Sequence, residues 1–139
     1  MKIKKIGHCC FVAEPKKGVR IMTDPGAFST LQNEENNISA ILFTHEHMDH
    51  LHIESLKKVL GNNPDAIVIT NTAVGKLLDE AEIKYTKVEE GQKYDLNGVV
   101  ISGFGNLHAE IYQTYGQVQN TGYMINNLCY PGDAFSYPD

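Results

Sequence analysis

The chain has 139 residues, 42% of them hydrophobic and 21% charged, a size and balance that fit one folded domain spanning 1–139 and exclude a disordered or repeat protein. Its formal net charge is -5, and its lysines are scattered rather than gathered into a stripe, which argues against nucleic acid as a partner. No run of about 18 apolar residues exists, and the basic start Lys2-Ile3-Lys4-Lys5 leads into His8 and Glu14-Pro15 instead of an apolar signal core, so a cytoplasmic protein without a membrane partner is expected.

Read from the amino terminus, strands are expected at 3–6, 9–14 and 19–23, with a Lys16-Lys17-Gly18 turn before the third, which gives a β-meander. Cys9 and Cys10 then fall on opposite faces of one strand, one buried and one outward. With Cys129 the cysteine count is odd, and the three are read as reduced thiols with packing roles rather than redox or metal roles. Asp24-Pro25-Gly26 ends the third strand, and the polar stretch 29–37 reads as an exposed loop. The apolar run 39–44 lacks alternation, as in a strand buried on both faces.

Beyond the histidine-rich run that follows, Ile53, Leu56 and Leu60 recur at helical spacing up to Gly61, which predicts a helix over 52–60 with Gly61 as its stop. A buried strand at 66–70 leads to a second helix, capped by Asn71 or Thr72, whose Val74, Leu77, Leu78 and Ala81 share one face. Strands follow at 85–88, 93–96 and 99–104, with Asn97-Gly98 as a hairpin turn, and then at 121–126 and 128–130. Strands with two outer helices make an α/β layered sandwich.

The chemistry concentrates in His45-Glu46-His47-Met48-Asp49-His50, which sets three imidazoles and a carboxylate within six residues just past a buried strand. In an extended turn, residues two apart face the same way, so His45 and His47 can grip one ion, while Asp49 and His50 at the start of the helix face a neighbouring one. A set of histidines and carboxylates with a place left for water suits a catalytic ion rather than a closed structural one. The alternative is a surface histidine cluster that binds metal only by accident. His52 is read as solvent-facing or as an N-terminal helix residue.

The HxHxDH signature, with its preceding strand and following helix, resembles the metallo-β-lactamase superfamily. Taken alone, His108 would be an ordinary loop residue and Asp133 an ordinary turn aspartate. Their positions after strands, in the family's order, make them resemble its third motif and its bridging aspartate. The resemblance implies the αβ/βα layered sandwich of that family, with His45, His47 and His108 holding one metal and Asp49, His50 and Asp133 a second. Zinc is the first choice, and manganese or iron are also compatible with the donors. The opening Ile6-Gly7-His8-Cys9-Cys10-Phe11 and Thr23-Asp24-Pro25-Gly26 further resemble the branch that includes L-ascorbate-6-phosphate lactonase. His8 is read first as a satisfied strand-end histidine and second as a residue of the pocket mouth. Asp24 is read as a carboxylate that orients a ligand histidine, or as a turn former.

The family pattern also includes a late histidine that is not matched here, so an amino-terminal portion with its carboxy-terminal part missing is expected. A natural chain of this length would leave sheet edges and an apolar face exposed, and would be a homo-oligomer. The implied activity is hydrolysis by metal-activated water, with Asp49 orienting the water and carrying its proton. The expected substrates are small molecules, in the order lactone, phosphate ester, thioester. Tyr112, Tyr115 and Tyr123 are read as packing residues before pocket residues. Two rivals stand beside this: a non-catalytic metal-binding or interaction domain that lost the second site, and an oxygen-using di-iron enzyme.

Overall fold

The computed structural model describes residues 1–110 and 116–138. Tyr112 and Tyr115 lie outside the described residues. Strands β1 (Lys2–Gly7), β2 (Cys10–Lys16), β3 (Val19–Thr23), β4 (Ala40–Leu42), β5 (Ile67–Thr70) and β6 (Thr86–Lys87) form one sheet in that order. The first three are antiparallel, and β3 to β6 are parallel. Strands β7 (Lys93–Leu96), β8 (Val99–Phe104), β9 (Gly122–Ile125) and β10 (Leu128–Tyr130) form an antiparallel second sheet, ordered β10-β9-β8-β7. The β7–β8 hairpin turns on Asn97 and Gly98, both at positive φ (52° and 90°), as a two-residue hairpin turn requires.

Alternation along the central strands sorts side chains into two cores. Met22, Ile41 and Val68 join Phe43 and the helix residues Leu56, Val59, Val74 and Leu78 in one cluster. Their neighbours Ile21, Ala40, Leu42 and Ile69 join Val99, Ile101, Tyr123 and Ile125 from the second sheet in the other. The continuous apolar run at β4 has this cause: one face meets helices and the other a sheet. The layers are therefore helices, mixed sheet and antiparallel sheet, the α/β sandwich expected. Tyr123 is fully buried between the sheets, with its hydroxyl donating to the Val88 carbonyl at 3.1 Å, so it packs.

Several expectations need correction. Strand β2 starts at Cys10, because Gly7 pairs with Cys10 and leaves His8 and Cys9 as a two-residue turn. Helix α1 (Ile53–Asn62) runs through Gly61 and ends instead at Asn63, whose amide donates to the Val59 carbonyl at 2.9 Å and so satisfies an end-of-helix acceptor. His52 caps its start, with Nδ1 accepting from the Ser55 N–H. Asp49 and His50 thus sit in a turn before the helix, where the His50 and Leu51 N–H groups both donate to the His47 carbonyl. Helix α2 (Thr72–Glu80) is capped by Asn71. The loop at 29–37 contains a 3-10 turn, Leu31–Glu34, pinned by the buried Gln32, whose amide donates to the Gly26 and Ser29 carbonyls. Among the described residues, no helix is long and apolar enough to cross a membrane.

Candidate metal centre

Four chain segments leave the two sheets and meet at one edge. After β3 comes Asp24, and its backbone N–H donates to Leu42 of β4 at 2.8 Å. After β4 come Thr44 and His45. His108 follows β8 and Asp133 follows β10. The second sheet's contributions are held against the first where the Thr121 N–H donates to the Thr44 carbonyl at 2.9 Å, and against each other where the Ala109 N–H donates to the Asp133 carbonyl at 2.7 Å.

All six residues singled out in the sequence come together. Donor atoms of His45, His47 and His108 lie within 4.8 Å of one another, as do those of Asp49, His50 and Asp133. Asp133 stands between the two groups. Its Oδ2 is 3.4 Å from His108 Nε2 and 3.6 Å from His45 Nε2, while its Oδ1 is 3.3 Å from His50 Nε2. The His45, His50 and His108 rings form a buried floor, with the His45 side chain 0% exposed, His47 is half-buried, and the carboxylates form the open side, with Asp133 41% and Asp49 26% exposed.

Hydrogen bonds at Nδ1 fix which nitrogen of each ring faces inward. Thr44 Oγ1 lies 2.7 Å from Asp24 Oδ2 and 2.9 Å from His45 Nδ1. Its single proton goes to the carboxylate, so it accepts from the His45 Nδ1–H. The His50 Nδ1–H donates to Asp24 Oδ2 at 2.6 Å, and the His108 Nδ1–H to the Ala109 carbonyl at 2.6 Å. In all three rings Nε2 is left bearing a lone pair toward the centre, the tautomer a metal ligand needs.

Asp24 is the organising group, fully buried and at φ 38°, a left-handed conformation that aspartate tolerates better than most residues. It accepts from the Thr44 N–H at 2.9 Å, the Thr44 hydroxyl, the His50 ring and the Tyr130 hydroxyl at 2.7 Å. Of its two expected roles, it fills that of orienting a histidine. The same contact shapes His50: burial pulls its pKa down, but the hydrogen bond and charge of Asp24, then the charges of Asp133 and Asp49, outweigh burial and raise it. His45 goes the other way, to about 3, because burial and then the nearby His50, His108 and His47 all disfavour its charged form.

That depression has a measurable consequence. The unfolded chain takes up this proton near 6.5 and the folded metal-free chain only near 3, so the contribution of His45 to stability is intact above about pH 6.5 and is lost as pH falls toward 3. His45→Gln is expected to flatten the stability profile of chelator-stripped protein in that window, as urea unfolding at stepped pH would show.

His8 takes its second reading, that of a residue at the pocket mouth. It lies in the turn directly after β1 at φ 49°, and its Nε2 lies 3.1 Å from Asp49 Oδ2 at the mouth of the pocket. Burial tends to raise the pKa of Asp49, yet this hydrogen bond and then the charge of His50 lower it overall. Cys10 is buried in the helix-side core as expected. Cys9 instead sits in the turn, with Sγ 3.1 Å from His50 Nε2. Burial, and then the charges of Asp133, Asp49 and Asp24, push its thiol up to about 12.

Sequence reasoning gave no role to Thr44, Asn120, Tyr130 or Gly132. Asn120 accepts from the Asp133 N–H at 3.1 Å and donates to the Pro131 carbonyl at 2.9 Å, which sets the Asp133 turn. Only the position of Thr44 directly before His45 could have signalled its part. Gly26 packs against the motif itself: a Cβ there would stand 2.0 Å from the Asp49 carbonyl oxygen and 2.6 Å from the His50 nitrogen. Because both are backbone atoms, Gly26→Ala must displace the Asp49–His50 turn. We expect about 1–3 kcal/mol or more of destabilisation together with reduced metal content, read by thermal melts and elemental analysis.

A two-sheet α/β sandwich with a histidine and carboxylate pocket at the strand ends defines the class of this protein. The chain belongs to the Beta-lactamase superfamily domain family, which matches residues 2–139. It is 30% identical to Protein Rv0786c of Mycobacterium tuberculosis, over 99% of this chain and 66% of that protein. It is also 32% identical to the UPF0173 protein PF0020 of Pyrococcus furiosus, over 99% of this chain and 62% of that one. The chain thus spans a little under two thirds of the length of these relatives. Among solved structures, it resembles a proposed metal-dependent hydrolase from Parabacteroides distasonis with a TM-score of 0.70 at 19% identity, covering 93% of this chain and 58% of that one. It resembles the diiron beta-hydroxylase CmlA of Streptomyces venezuelae at 0.69 and 17% identity, over 94% and 27% of the two chains. At these identities the structural likeness establishes the metallo-β-lactamase fold.

Proposed function

We propose that the chain is the metal-holding part of a hydrolase, with His45, His47 and His108 as ligands of one divalent ion and Asp49, His50 and Asp133 as ligands of a second. One observation carries the reading: His45 Nε2 and His108 Nε2 are buried without any hydrogen-bond partner, although both rings are locked through Nδ1. A buried polar atom left without a partner costs about 1–3 kcal/mol, and two such lone pairs beside one carboxylate suit a cation. The donors are imidazole and carboxylate, which accept zinc first and also manganese or iron.

An ion held here supplies a Lewis acid that acidifies water and polarises a carbonyl or phosphoryl oxygen. Asp49 Oδ2 accepts a proton from the attacking water and returns it to the leaving oxygen, and His8 Nε2 steadies that carboxylate from the solvent side. The buried His45, His50 and His108 rings, with Asp24 hydrogen-bonded beneath them, form the floor of the pocket. The preferred substrate is a small-molecule lactone, with a phosphate ester second, an order supported by the resemblance of Ile6-Gly7-His8-Cys9-Cys10-Phe11 and Thr23-Asp24-Pro25-Gly26 to the lactonase branch. The Phe28 ring, 60% exposed and stacked edge-on with His8 at 5.0 Å, offers an apolar edge beside the carboxylate.

Metal-reconstituted protein is expected to hydrolyse generic lactones faster than phosphate esters, and Asp49→Asn to lower the rate by about 10²–10⁴-fold while the first ion is retained. Full metal content with an unchanged rate in Asp49→Asn would remove Asp49 from the mechanism.

A further inference from the structure

A cysteine stands beside the second group of donors. The two-residue turn between β1 and β2, left by the Gly7–Cys10 pairing, carries Cys9 over the pocket, where its Sγ lies 3.1 Å from His50 Nε2. Around the same nitrogen stand Asp133 Oδ1 at 3.3 Å and Asp49 Oδ2 at 3.5 Å. Cys9, His8 and Asp49 also present donor atoms within 4.8 Å of one another. Tetrahedral zinc with bonds of about 2.0–2.3 Å spaces its ligand atoms roughly 3.3–3.7 Å apart, close to the separations found here. The turn is held from below by Thr23 Oγ1, which lies 3.4 Å from the Cys9 carbonyl, so the thiol is placed by backbone anchoring rather than by its contact with His50 alone.

That the surrounding pocket is built for cations rests on separate evidence, the unpartnered and buried His45 Nε2 and His108 Nε2 that face Asp133. Asp133 joins that group to Asp49 and His50, and His50 Nε2 is the atom that Cys9 Sγ approaches.

We propose that Cys9 is a ligand of the second ion, completing with Asp49, His50 and Asp133 a four-donor site of one sulfur, one nitrogen and two carboxylates. When the ion binds, the S–H bond is exchanged for a sulfur–metal bond and the proton leaves to solvent, with no change of oxidation state. A thiolate makes the second position softer than the first, so it selects zinc over manganese. The sulfur is absent from the first group, which makes the two positions chemically unequal.

This inference rests on the metal-dependent reading above, and cobalt(II) separates the two. Stripped protein is loaded with cobalt, the bound ions are counted by elemental analysis, and the near-ultraviolet spectrum is read for a sulfur-to-cobalt charge-transfer band. We expect two ions per chain and the band in the wild type. Cys9→Ser should lose the band and weaken the second ion by more than the roughly 10–100-fold that follows loss of a ligand's supporting partner, with the first ion kept. Cys10→Ala should keep the band. Two cobalt ions without a sulfur band, a single ion without one, or a band that survives Cys9→Ser would overturn the role of Cys9 and leave the hydrolase reading standing. Failure to bind any cobalt would sink both.

Discussion

His108→Ala is expected to strip the first ion from the protein and to abolish hydrolysis, with a rate loss of at least about 10³-fold, while the fold survives. The side chain comes from the second sheet, beyond the end of β8, and its backbone is held independently by the Val118 carbonyl and by the Gln117 amide. Removing the ring therefore takes away one of three inward nitrogen donors without releasing the segment that carries it. With Asp133 assigned to the second ion, His45 and His47 leave the first ion two protein ligands of its own, one fewer than the three a catalytic zinc site keeps beside its water. A circular dichroism spectrum like that of the wild type, with metal content and lactone turnover both collapsed, is the expected pattern.

Asp24→Asn is expected to have the largest effect on stability, about 3–5 kcal/mol, the range seen when one member of a buried charged pair is removed. The substitution keeps the shape but turns one acceptor into a donor. If the new NH₂ takes the place of Oδ2, it faces the Thr44 hydroxyl, the His50 ring and the Tyr130 hydroxyl; if it takes the place of Oδ1, it faces the Thr44 N–H. Neither rotamer can satisfy all four donors. In the first rotamer His50 would also lose the contact that fixes its tautomer, so the second ion should weaken with the fold. Tyr130→Phe removes only one of those donors and should cost about 0.5–1.5 kcal/mol. Urea unfolding of the three proteins side by side, with unchanged m-values, checks both figures.

Much of this arrangement could be read before any coordinates. The HxHxDH run is local, and a turn of that kind presents His45 and His47 together whatever surrounds it. His108 and Asp133 were legible only by their order after strands and by resemblance, because nothing within the chain near either residue marks it as a ligand. The sandwich followed from the many strands with two outer helices, and the apolar run at β4 marked a strand covered on both faces. What could not be read depends on long-range contact: the four-donor role of Asp24 needs Thr44, His50 and Tyr130, which are far apart in sequence, and Asn120 looks like any loop asparagine. Cys9 was misplaced because the strand was expected to start one residue too early. Starting β2 at Cys10 turns it from a strand residue into a turn residue over the pocket. Gly61 misled for a simpler reason, since a neighbouring asparagine supplies the stop that a glycine usually provides.

The central claim is that the buried nitrogens of His45 and His108 face an ion. Elemental analysis of protein reconstituted with zinc and then dialysed, wild type beside the double variant His45→Ala/His108→Ala, tests it most directly. One or two tightly held ions per wild-type chain, and a first position emptied in the double variant, is the result expected. A wild type that retains no zinc, or a double variant that retains as much as the wild type, would contradict it.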